Sequence, residues 1–137
     1  MMQKNKVYLI CGVSGSGKTW VCKQLTDKFT YVPHDQHYRD QVDAVLKASS
    51  PSRPVITECP FAERILKQQM EEKGLEVTPF FVITAPDKVA EQYFAREGKK
   101  VGKNVYTRAS TILNRAIEWS SFHGTAEEVL KKLREMK

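Results

Sequence analysis

The sequence predicts an α/β fold in three layers, a parallel sheet of four or five strands with helices on both faces. Three observations carry this. Short apolar runs alternate with longer amphipathic stretches along the chain. The first apolar run, Val7-Tyr8-Leu9-Ile10-Cys11, ends on a glycine-rich turn that opens into a helical pattern. The 137 residues fit one domain, 1–137, with little room for a second.

The elements follow in order. Val7 to Cys11 reads as a buried strand, and a helix is expected from Gly17 to about Lys28, with Val21, Leu25 and Phe29 at fourfold spacing. Thr30-Tyr31-Val32-Pro33 is a short second strand, followed by His34-Asp35-Gln36-His37-Tyr38-Arg39 and a helix from about Gln41 to Ala48. Ser49 to Pro54 is a turn-rich loop. Val55-Ile56-Thr57 is a third strand with Glu58 at its end, and Pro60 or Phe61 opens a helix that stops near Gly74. Val77 to Thr84 is a fourth strand, bent or edged by Pro79. Pro86 begins a helix through about Glu97, 98–105 is a lysine-rich connection, and Thr107 to Trp119 is helical. Thr125-Ala126-Glu127-Glu128 is a capping box for a last helix whose buried stripe is Val129, Leu130 and Leu133. The degenerate run before it implies that a fifth strand is short or missing.

Composition narrows the partners. The net charge is +6 and the pI near 9.3, which favours polyanions: nucleic acid, phosphorylated metabolites or an anionic surface. No apolar run is long enough for a bilayer, and the amino terminus does not read as a signal peptide. Cys11, Cys22 and Cys59 show no CxxC spacing and form no usual zinc pattern with His34, His37 and His123. Reduced thiols in the cytoplasm are expected.

Gly12-Val13-Ser14-Gly15-Ser16-Gly17-Lys18-Thr19 matches every fixed position of G-x-x-x-x-G-K-[ST]. The glycines let backbone N–H groups turn inward onto phosphate, and the following helix adds its dipole. Lys18 is expected to face solvent from this loop and reach the β- and γ-phosphates, while the Thr19 hydroxyl ligates Mg²⁺. Two classes remain: a kinase with an acceptor hydroxyl, or a nucleotide switch or binding module that uses water. Asp35, just past the second strand, stands where open parallel sheets bind ligands. There it serves as a general base, worth about 100- to 10,000-fold, or as a turn aspartate after Pro33.

These residues resemble small P-loop kinases, and most closely the kinase domain of phage polynucleotide 5′-hydroxyl kinases. That family carries tryptophan soon after its phosphate loop (here Lys18-Thr19-Trp20) and an aspartate after the second strand followed by tyrosine and arginine (Asp35, Tyr38, Arg39). It has an acid ending the third strand (Glu58), then Glu-Arg-x-Leu (Glu63-Arg64-Ile65-Leu66), and a basic lid (about 96–108). Arg39 lies one residue further from Asp35 than in the family, and Glu58 stands where aspartate is usual. The resemblance implies ATP and Mg²⁺ as cofactors, a central first strand, and Asp35, Lys18 and Arg96 as catalytic residues. It also implies Tyr38, Arg39, Arg64, Lys99, Lys100 and Arg108 as acceptor contacts. With the basic charge, it makes nucleic acid, DNA above all, the expected partner; no protein partner is inferred. The chain is similar, too, to phage kinases of 5-hydroxymethylpyrimidine DNA, and its loop resembles that of gluconate kinases, so a small-molecule acceptor stays open.

Three readings keep an alternative. Glu58 holds Mg²⁺ as a Walker-B carboxylate does, or is an ordinary strand-end acid. Arg96, Lys99, Lys100, Lys103 and Arg108 form a catalytic lid, with Arg96 favoured and Arg108 and Arg115 in reserve, or a solvated charged face. Ser121, Phe122, His123 and Gly124 border the base, as the matching turn does in small nucleotide kinases, or form a plain turn.

Overall fold

The computed structural model describes residues 4–13, 16–60, 62–83, 95, 98 and 104–136, without the side chains of 104–109. Five parallel strands form one sheet in the order β2-β3-β1-β4-β5. They are β1 (Lys6–Cys11), β2 (Thr30–Val32), β3 (Val55–Cys59), β4 (Glu76–Val82) and β5 (Phe122–Gly124). The described helices are α1 (Lys18–Lys23), α2 (Tyr38–Ala48), α3 (Glu63–Glu72), α4 (Asn104–Glu118) and α5 (Ala126–Glu135). The first strand is central, as the resemblance implied, and the fifth strand exists but has three residues. The helix expected from Pro86 to Glu97 lies almost wholly outside the described residues.

Side-chain alternation along β1 builds the three layers. Val7, Leu9 and Cys11 enter a core with Val42 and Val45 of α2, Leu66 and Met70 of α3, and Ile112 and Ala116 of α4. Tyr8 and Ile10 enter the opposite core with Val21 of α1, Leu25, and Val129, Leu130 and Leu133 of α5. A strand covered on both faces has no polar side, so its run is continuously apolar.

Several boundaries differ from those the sequence predicts. α1 ends at Lys23 and passes into turns, yet Val21, Leu25 and Phe29 all stay buried, so the apolar stripe outlasts the regular helix. α3 starts at Glu63, after Ala62 in the left-handed region (φ 62°). It stops as expected at Gly74 (φ 90°), where Leu75 N–H returns to the Met70 carbonyl. Glu58 is inside β3 rather than at its end, because the ladder with β1 continues to Cys59. Pro79 is tolerated where β4 runs beside β1 alone, since pairing with β5 begins only at Phe80. α4 begins three residues before the expected Thr107.

The capping box forms as the sequence predicts. Thr125 Oγ1 accepts from Glu128 N–H at 3.2 Å, and Glu128 Oε1 accepts from Thr125 N–H at 3.0 Å. These bonds hold the Glu128 carboxyl below its ordinary value. Thr125→Ala should cost about 1 kcal/mol in urea unfolding, whereas Thr125→Ser should cost a few tenths. Equal losses in the two variants would show that the hydroxyl cap is not what stabilises α5.

Candidate active site

The parallel sheet brings the carboxyl ends of all its strands to one edge, and the candidate residues collect there. β1 ends at Cys11 and the chain turns through Gly12 and Val13 into α1. A Cβ on Gly12 would lie 2.7 Å from Ser16 Oγ and 3.1 Å from the Val82 carbonyl, so only glycine fits that turn. Gly17 is left-handed (φ 102°), and a Cβ there would also meet Ala126 at 3.1 Å. That approach sets the start of α5 beside the loop. Ser16 is buried and its N–H returns to the Val13 carbonyl at 3.1 Å. Ser14 and Gly15 lie outside the described residues.

Lys18 is not the solvent-facing residue the sequence implied. It is 5% exposed, and its ammonium donates to the Val13 carbonyl at 2.8 Å. As the first residue of α1 it points back under the loop, where sheet and helix exclude water. Burial lowers its pKa from 10.5 to about 8, against the opposing pull of Glu58. It therefore remains charged at neutral pH.

Strand alternation sets Glu58 on the face of Ile56, towards α1. It is 7% exposed. Thr19 Oγ1 donates to Glu58 Oε1 at 2.7 Å, and the Tyr31 hydroxyl of β2 donates to Oε2. Tyr31 was not singled out in the sequence; nothing in a three-residue strand marks which phenol meets a buried acid. Desolvation, then the bond to Glu58, pushes its pKa up. The Thr19 hydroxyl and Glu58 carboxylate are hard oxygen donors at adjoining positions. They fit a Mg²⁺ ion that takes one or two protein oxygens and completes its shell with phosphate and water. Among the described residues no group of three acidic, histidine or cysteine side chains could form a metal cage by itself.

On the other face of β3, Thr57 reaches α2. Thr57 Oγ1 donates to the Val32 carbonyl at 2.7 Å and accepts from Gln41 Nε2 at 2.8 Å. Gln41 is 1% exposed, and the same amide nitrogen donates to the Glu58 carbonyl at 2.8 Å. Gln41 Oε1 accepts from Asp35 N–H at 3.3 Å and lies 3.3 Å from His34 Nδ1. One buried amide thus ties Asp35 to the β3 segment that carries Glu58. A polar residue in a helix of mixed composition gave no sign of this in sequence.

Asp35 is half-buried just beyond β2, and its Oδ1 accepts from His37 N–H at 2.9 Å. The turn-aspartate role and the position at the sheet's carboxyl edge therefore hold together. Tyr38 packs against the core, while Arg39 is exposed and lies over the Tyr38 ring at 5.9 Å. Arg64 is exposed and pairs with Glu118 at 3.4 Å. Arg115 belongs to the body, with Nε 3.6 Å from buried Glu63 and its guanidinium 5.5 Å over Trp119. His123 is exposed on β5. Arg96, Lys99, Lys100 and Lys103, and the Arg108 side chain, lie outside the described residues.

No protein-family model matches the chain, and no curated protein matches it in sequence. Solved structures do match in fold. A gluconokinase from Sinorhizobium meliloti 1021 has a TM-score of 0.63 at 16% identity, over 95% of this chain and 90% of that one. The tunicamycin resistance protein of Deinococcus radiodurans has 0.66 at 20%, over 95% and 96%. A shikimate kinase from Acinetobacter baumannii, in complex with shikimate, has 0.59 at 9%, over 97% and 92%. At these identities the likeness is one of fold.

The buried ammonium gives a prediction with a definite sign. The folded pKa of Lys18 lies below the unfolded one. Between about pH 8 and 10.5 the unfolded chain holds a proton that the folded chain has released, so stability rises with pH across that window. Below pH 8 the full penalty of burying the charge remains. Lys18→Met should therefore raise the unfolding free energy at pH 7 by about 2 kcal/mol, a gain that fades above pH 8. Urea unfolding across this pH range measures it; a destabilised variant would contradict the burial of a charged lysine.

Proposed function

We propose that the chain is an ATP- and Mg²⁺-dependent kinase that transfers the γ-phosphoryl group to a hydroxyl of a small molecule, a hydroxylated acid of the gluconate or shikimate kind. The observation that carries the phosphoryl-transfer reading is the Thr19–Glu58 pair directly beside a complete phosphate loop, with Lys18 beneath it. The small-molecule acceptor is supported by fold neighbours described as a gluconokinase, a sugar kinase and a shikimate kinase, which this chain matches along nearly its whole length.

In this reading the acceptor binds beyond the ends of β2 and β3, beside Asp35. The free capacity of the Asp35 carboxylate takes the hydroxyl proton as the acceptor oxygen bonds to the γ-phosphorus. The bond from that phosphorus to the β–γ bridging oxygen breaks, and ADP leaves. Lys18, charged at neutral pH, exchanges its bond to the Val13 carbonyl for phosphate oxygens. Thr19 and Glu58 would hold Mg²⁺, which would supply charge neutralisation at the phosphates. Gln41 keeps Asp35 and Glu58 in fixed relation. The stretch from Ser121 to Gly124, His123 included, leads to Ala126 beside Gly17 and borders the base, and Arg96 of the lid stabilises the transferring group.

A second reading, transfer to a hydroxyl on nucleic acid, is favoured by the net charge of +6 and by the order Asp35, Tyr38, Arg39. The two separate in one panel of labelled-ATP assays with gluconate, shikimate, nucleoside monophosphates, 5′-hydroxyl DNA and RNA, and hydroxymethylpyrimidine DNA. Label is expected on a small acid, with Asp35→Asn lowering kcat by about 100-fold or more while ATP affinity holds. Label on the polymers instead, with binding that falls steeply in salt, would establish the nucleic-acid reading. Loss of ATP affinity with turnover intact in Asp35→Asn would remove Asp35 from the chemistry.

A further inference from the structure

The edge of the sheet opposite the phosphate loop carries a second concave site. The strands begin there, about 20 Å from the loop by the length of β1. A cavity of about 530 Å³ opens between the start of β1, the turn before β2, the 50–54 loop and the end of α5. That volume lies in the range of small-molecule pockets, about 300–1,000 Å³.

Its lining divides by chemistry. Lys4, Lys6, Lys28 and Arg134 supply cations, against the one acid Glu135. All four basic residues are exposed, so their charges stand at the rim. The floor is apolar, with the buried rings of Tyr8 and Phe29 packed edge to face at 5.4 Å. Pro51, Pro54 and Met136 extend it.

The walls are built rather than incidental. The Arg53 guanidinium donates to the backbone carbonyls of Thr26 at 2.5 Å and Phe29 at 3.2 Å, clamping the 50–54 loop to the turn before β2. Thr30 N–H donates to the Pro54 carbonyl at 2.9 Å, and Asn5 Nδ2 donates to Ser49 Oγ at 3.1 Å. Three separate segments are therefore cross-linked around the cavity, and a site that is already shaped costs less to order when it binds.

We propose that this cavity binds a small organic anion, a phosphorylated or carboxylated molecule with an apolar portion, at a site separate from the phosphate loop. The cations take the anionic group by charge-assisted hydrogen bonds, and the Tyr8–Phe29 floor with its proline rim takes the apolar part. Neither half suffices. A bare anion leaves Pro51, Pro54 and Met136 uncovered, and a neutral ring leaves the cations unused.

The test reads amide chemical shifts of the whole protein with three probes: phenyl phosphate, inorganic phosphate and benzyl alcohol. Residue-resolved shifts separate this cavity from the phosphate loop, which itself holds anions. Phenyl phosphate should shift Lys6, Phe29, Ser52 and Met136 saturably. Inorganic phosphate should bind there about tenfold more weakly, and benzyl alcohol should give no saturable shift. Lys6→Glu with Arg134→Glu should weaken phenyl phosphate at these amides by roughly tenfold or more and leave the shifts of the phosphate loop unchanged. If the reversals disturb the rest of the spectrum, Lys6→Gln with Arg134→Gln makes the same measurement. Absence of saturable shifts at these four amides, or shifts that survive loss of both cations, would overturn the proposal. Equal affinity for inorganic and phenyl phosphate would overturn the organic class of ligand.

Discussion

The hydrogen bond from Thr19 to Glu58 is the interaction on which the candidate site depends. A carboxylate inside a sheet needs partners, because an unpaired charge there would cost several kcal/mol. Glu58 finds them on two sides, Thr19 at the start of α1 and Tyr31 on the neighbouring strand. Those bonds tie the helix behind the phosphate loop to β3 and β2. With β3 beside β2 and α1 packed on its face, one carboxylate meets both hydroxyls. Lys18 sits close enough for Glu58 to favour its charged form, so loop, helix and strand share one electrostatic environment.

The two faces of β3 divide the work. On the α1 face the strand presents Glu58 to hydroxyl donors. On the α2 face it presents Thr57 to Gln41, which reaches on to Asp35. The side-chain period of two is what allows adjacent residues of one strand to serve the two sides of the sheet. An error of one residue in the β1–β3 register would turn Glu58 into the apolar core around Val55 and Cys59, so register and site are specified together.

Much of this was legible in the sequence, for physical reasons that differ by element. The β1 run, Gly12 and Gly17 of the loop, the Gly74 stop and the Thr125 capping box are local codes, and each forms where the sequence places it. The central place of the first strand agrees with the resemblance to P-loop kinases. What the sequence did not show depends on tertiary packing. The burial of Lys18 follows from its side chain turning back from α1 to the Val13 carbonyl beside the sheet, which no local pattern encodes. Tyr31 and Gln41 became visible only once β2 and α2 were set against β3. In sequence Glu58 reads as a ligand candidate at the strand's end, because a glutamate interrupts an apolar run and hides the continuing ladder. The cationic cavity at the far edge draws on four separated segments, so it had no signature in the linear sequence.

Thr19 and Glu58 are proposed as a divalent-cation site completed by nucleotide. Calorimetric binding of a non-hydrolysable ATP analogue, with and without Mg²⁺, tests it most directly. In the native protein Mg²⁺ should tighten binding by about tenfold or more, and in Glu58→Gln, which keeps the side chain's shape, that enhancement should vanish while metal-free binding persists. An enhancement equal in the two proteins would contradict the claim and leave Glu58 a structural acid.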